Sequence, residues 1–131
     1  MNAKEWVLIC LWLWAGAFVV LPAISLWLHA RLIRCLRSKH YILWLDIGAP
    51  TLANVAMRGG IPFGGVNFRL GSGGNKYLDW LSTQGNREAH DDVVAELGEK
   101  LRAFGWVAPL VMVVFTMAVV FVAYKLRSAG P

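Results

Sequence analysis

The sequence predicts an all-α membrane protein: two transmembrane helices in a hairpin, joined by a small, mostly helical cytoplasmic segment that contains a glycine-rich loop. Three observations carry this. Two uncharged apolar runs lie near the ends of a 131-residue chain, Trp6 to Leu28 and Phe104 to Tyr124. Hydrophobic residues make up 57% and charged residues 16% of the chain, against about 25% charged in a typical soluble domain. The basic residues cluster just inside the two runs rather than outside them.

The first run, 6–28, has 23 residues, which reach ~34 Å as a helix and exceed a ~30 Å hydrocarbon core. The second, 104–124, has 21 residues, eleven of them Val, Leu or Phe. Such valine content suits a strand in water, but lipid imposes a helix because every backbone group must pair within its segment. Pro22 and Pro109 are expected to bend or end their helices locally, since each frees a carbonyl. Ala15-Gly16-Ala17 resembles a signal cleavage site, but the apolar stretch continues eleven residues beyond it and basic residues follow at once. The run is therefore read as an uncleaved anchor.

Orientation follows from Lys and Arg near the span ends. Lys4, Lys125 and Arg127 flank the outer ends, whereas Arg31, Arg34, Arg37, Lys39, Lys100 and Arg102 flank the inner ends. The segment 29–103 is expected in the cytoplasm. Both termini, including the tail 125–131, are expected on the outer side. Trp6 with Tyr124, and Trp27 with Trp106, are the aromatic anchors expected at the two interfaces. The net charge of +5 then reports topology and does not point to nucleic acid.

Past the first span, Leu32, Ile33 and Leu36 share one helical arc while Arg31, Arg34 and Arg37 occupy the opposite one. With Lys39, these cations form a candidate contact for anionic lipid. His40 to Asp46 is an apolar stretch that Gly48-Ala49-Pro50 stops. Gly59 to Gly74 holds seven glycines in sixteen residues and reads as a loop. It lacks the spacing of a phosphate-binding loop. Asn75 is expected to cap a short helix through Gln84, with Leu78 and Leu81 inward. Asp91 and Asp92 suit the start of a last helix on which Val93, Leu97, Leu101 and Phe104 form an apolar stripe and Glu96 pairs with Lys100.

No arrangement of these residues predicts catalysis, a cofactor or a metal. His90, Asp91 and Asp92 diverge around a helix start and need a further ligand such as His40 or Asp46 to hold a metal. Cys10 and Cys35 lie too far apart to pair. Arg34 and Arg37 beside Cys35 favour a lowered thiol pKa. His29 is read as an interfacial residue. The spans carry no Asp, Glu, Lys or Arg, which argues against an ion pathway through them.

Leu36-Arg37, His40, Leu43-Trp44, Gly48 and Pro50-Thr51-Leu52 form a pattern with Tyr77-Leu78, His90-Asp91-Asp92 and Leu101-Arg102. The chain in this respect resembles the universal stress protein B type of small bacterial inner-membrane proteins. The resemblance implies a two-span inner-membrane protein and a stress-related role, and supplies no catalytic residue. The expected function is a non-enzymatic, interaction-type role in the bilayer. The expected partner is a second copy or a larger membrane protein; the alternative role is accessory subunit of a respiratory, transport or secretion complex.

Overall fold

A computed structural model describes residues 3–56, 76–83 and 85–128. The described residues are mostly helical, with no strand. In chain order come α1 (Ala3–Lys39), α2 (Tyr41–Asp46), α3 (Leu52–Val55), α4 (Lys76–Ser82), a 3₁₀ turn (Gly85–Arg87) and α5 (Asp92–Ser128). The glycine-rich loop expected at 59–74, the cap at Asn75 and the helix end at Gln84 lie outside the described residues.

Both long helices have 37 residues and are long and apolar enough to cross a membrane. They run on well past the uncharged segments, as the amphipathic pattern after Leu28 predicts. Neither ends at its proline: α1 continues through Pro22 and α5 through Pro109. Trp14 on α1 meets Thr116 on α5, and His40 after α1 meets Asp91 before α5. The two helices therefore run antiparallel.

Their seam follows a helical spacing, mostly in steps of three and four residues. Ser25, Leu28, His29, Leu32 and Leu36 are buried on α1, and Val94, Leu97, Leu101, Gly105, Ala108 and Met112 on α5. This spacing keeps one face of each helix against the other as they twist. It corrects the expected stripe on α5. Leu97 and Leu101 are buried as expected, but Val93 is exposed and Phe104 half-buried, and Val94 and Gly105 take their places in the seam.

His40 interrupts the helix with φ −129° and ψ 53°, yet the bonds His40 N–H to Leu36 O (2.8 Å) and Trp44 N–H to His40 O (2.9 Å) bridge the break. Then α2 ends in a Schellman motif: Ala49 N–H donates to Trp44 O and Gly48 N–H to Leu45 O. Gly48, at φ 91°, takes the left-handed position such an ending requires. The chain now turns back, and the Thr51 hydroxyl caps α3 by accepting from Asn54 N–H. Val55, Tyr77, Leu78 and Leu81 complete a core with Leu32, Leu36 and Leu101.

Gly98 is fixed by packing: a Cβ there would lie 2.5 Å from Asn86 Cγ. Asn86 holds its place by donating to Ala95 O at 2.9 Å. The core thus sits where the long helices leave their apolar runs, while the far halves of both helices stay uncovered.

Leu101→Ala opens a cavity in this core and lowers unfolding free energy by about 2–5 kcal/mol. Leu110→Ala, on the uncovered face, changes it by less than about 0.5 kcal/mol. Denaturation of the two purified variants in one detergent checks the contrast.

Candidate functional site

Two polar junctions tie α1 to the rest of the molecule. The inner one is built by the seam itself. His29 lies four residues after Ser25 and three before Leu32, so the periodicity that buries the leucines buries it too. Its Nδ1 is 2.8 Å from the Tyr77 hydroxyl, with the rings edge to face at 5.7 Å. Tyr77 stacks on Trp80 at 6.3 Å. Burial pushes the Tyr77 hydroxyl far above its ordinary value, so it stays neutral. Ser25 Oγ is buried one turn earlier and has no hydrogen-bond partner among the described residues.

This corrects the reading of His29 as an interfacial side chain: it is wholly buried and joined to α4. Sequence reasoning missed Tyr77 as its partner. The only available signal was the shared face of Ser25, His29, Leu32 and Leu36.

The outer junction is His40 with Asp91. His40 Nε2 lies 3.1 Å from Asp91 Oδ2, and Lys39 Nζ is 3.9 Å from the same oxygen. Asp91 Oδ1 accepts from Val93 N–H at 2.9 Å and Val94 N–H at 3.4 Å, capping α5. The His40 hydrogen bond, then the two amides and Lys39, hold the Asp91 carboxyl below its ordinary range against the effect of burial. One carboxylate therefore starts α5 and clasps the end of α1.

The remaining motif positions serve the same corner. Trp44 Nε1 donates to Pro50 O at 3.2 Å, and Gly48 makes the turn between them. Asp92 opens α5 beside its positive end. His90 is exposed, with φ 49°, and its N–H bonds Arg87 O. The structure thus brings His40 and Asp91 together without His90 or Asp92. Among the described residues no group of three His, Cys, Asp or Glu side chains gathers to hold a metal.

The basic residues stay on the surface. Arg31, Arg34, Arg37 and Lys39 are exposed, opposite Leu32 and Leu36. Two rest on aromatic rings: Arg31 5.5 Å from the Trp27 centroid and Arg37 5.6 Å from that of Trp44. Cys35, between them, is corrected in direction. Burial, and then the Asp91 charge, push its thiol up despite Lys39 and Arg31. It is a packed thiol and not an activated nucleophile.

Tyr77→Phe leaves the buried His29 nitrogen without the hydroxyl and costs about 1–3 kcal/mol, read by thermal unfolding in detergent. Asp91 has a folded pKa below its unfolded value of 3.8, so its stabilisation is complete above that value and drains as pH falls through it. The stability gap between wild type and Asp91→Asn is therefore widest near neutral pH. It holds down to about pH 5 and narrows as unfolding is measured on toward about pH 3.

Compared with protein-family models, with curated proteins and with solved structures, the chain matches none.

Proposed function

We propose that the chain is a small integral membrane protein, a two-span hairpin whose middle segment lies in the cytoplasm and which acts by interaction rather than catalysis. One observation carries this reading: the apolar side chains of both long helices stand outward without cover. Trp12 is 76% exposed, Val19 69%, Leu110 67% and Met117 68%. A soluble monomer rarely leaves so continuous an apolar surface in water, whereas lipid covers it at no cost. The exposed aromatics Trp6 and Tyr124 at one end, with Trp27 and Trp106 at the other, fit two interfaces.

The orientation rests on the charges. Arg31, Arg34 and Arg37 all point outward beyond Trp27, where anionic headgroups would meet them. Termini on the outer side follow from that assignment; the inner-membrane location, which makes that side the periplasm, is what the resemblance implies. The resemblance to the universal stress protein B type adds a stress-related role.

A second reading, accessory subunit of a larger membrane complex, is favoured by a groove between the long helices. Its volume is about 460 Å³, and Trp14, Phe18, Pro109, Met112, Thr116 and Met117 line it. Such a groove suits a neighbouring helix.

Affinity purification of the tagged chain from its native membranes, in several mild detergents and read by mass spectrometry, separates the two readings. Recovery of the chain with copies of itself alone supports the first. A larger protein in fixed stoichiometry sinks it in favour of the accessory subunit. For orientation, Ser38→Cys is expected to resist a membrane-impermeant maleimide on intact cells, while Ser128→Cys reacts.

A further inference from the structure

We infer that the groove between α1 and α5 seats one acyl chain of an anionic phospholipid, whose phosphate Arg102 holds at the groove's mouth. This rests on the two-span reading above. Arg102, Trp106, Pro109, Val113 and Thr116 succeed one another at steps of four, three, four and three, the spacing that keeps side chains on one side of a helix. The last three line the groove, together with Trp14 and Phe18 of α1. Arg102 and Trp106 therefore stand over its cytoplasmic end.

Depth agrees with this placement. Trp106 marks the interface, and Thr116 is ten residues further, ~15 Å, or half of a ~30 Å hydrocarbon core. There the Trp14 indole donates to the Thr116 hydroxyl at 3.2 Å and ties the two helices together. An acyl chain of one leaflet ends at that depth. In the other direction Arg102 lies one turn, ~6 Å, past Trp106, within a headgroup layer of ~5–7 Å.

Width favours a chain over a helix. From Pro109 to Met117 the groove runs ~12 Å, so a volume of about 460 Å³ gives a cross-section of roughly 40 Å². A helix ~10–12 Å across needs about 80–110 Å². A neighbouring helix thus enters with its side chains alone. The one hydroxyl in the wall, on Thr116, is already engaged with Trp14 and with Met112 O.

Charge selects the headgroup. Lys100 is bonded to Glu96, Lys39 lies beside Asp91, and Arg31 and Arg37 rest on Trp27 and Trp44. Arg102 is half-buried and forms no ion pair among the described residues. Arg34 forms none either, but it stands on the side of α1 turned away from Trp14 and Phe18. A phosphate at the mouth thus meets a planar guanidinium that no carboxylate among those residues neutralises.

The test is titration of the full chain in mild detergent with phosphatidylglycerol or phosphatidylcholine, read by native mass spectrometry. One phosphatidylglycerol is expected to bind about fivefold tighter than phosphatidylcholine. Arg102→Gln removes that preference, Arg102→Lys keeps most of it, and Arg34→Gln leaves it intact. Val113→Trp fills the groove and weakens binding of both lipids roughly tenfold. Val114→Trp, at a position 60% exposed against 58% for Val113 but outside the groove, changes neither. Soluble glycerol phosphate, a headgroup without a chain, does not compete.

Equal binding of the two lipids overturns the inference and leaves the membrane reading standing. So does competition by glycerol phosphate, a preference lost as readily in Arg34→Gln as in Arg102→Gln, or equal effects of Val113→Trp and Val114→Trp. Release of the wild-type chain from its native membranes by alkaline carbonate overturns the membrane reading itself.

Discussion

Leu32, Leu36 and Leu101 lose all their exposed surface because α1 and α5 remain in contact beyond their uncharged runs. Eleven residues of α1 follow Leu28, and they carry the seam out of the apolar part and into the polar one. Everything else attaches to that continuation. Short helices such as α3 and α4, of four and seven residues, cannot hold themselves together in water. They are helical because Val55, Tyr77, Leu78 and Leu81 find an apolar wall already standing. The middle segment is thus less a domain than a cap grown on two prolonged helices.

Polar groups placed on that seam decide which arrangement it adopts. Leucines alone tolerate a shift along the helix axis, because the surface lost at one turn is regained at the next. His29 removes that tolerance, since a shift would leave a buried imidazole without the Tyr77 hydroxyl. Asp91 acts similarly at the outer end: its two oxygens are engaged with His40 and with the first amides of α5. Between these two points the register of α1 against α4 and α5 is fixed. Buried small residues at Ser25, Gly105 and Ala108 allow the long helices to come close where the apolar runs begin.

Much of this was legible in the residues. Periodicity placed the prolonged helices, with Leu32 and Leu36 inward and Arg31, Arg34 and Arg37 outward. Gly48 and Pro50 marked a helix end by backbone chemistry that needs no tertiary contact. The Glu96–Lys100 pair and the Asp91 cap are likewise local and present. What failed depended on a partner distant in sequence. Val93 and Val94 are equivalent in hydropathy, and only the direction from which α1 approaches selects the second. His29 looked interfacial because its neighbours suggest a membrane boundary, while its burial depends on Tyr77, 48 positions away. Cys35 sits among arginines in sequence, yet the Arg34 and Arg37 side chains point outward while burial and Asp91 govern the thiol.

The same division bears on function. Asp91, Glu96 and Glu99 are held in ion pairs, with Lys39, Lys100 and Arg87 respectively, and His29 is enclosed beside a hydroxyl that does not ionise. These groups serve to position helices. Among the described residues, the features with no counterpart are faces: the exposed apolar halves of α1 and α5, the outward arginines and the exposed side of α2. Lipid can satisfy the first and anionic headgroups the second.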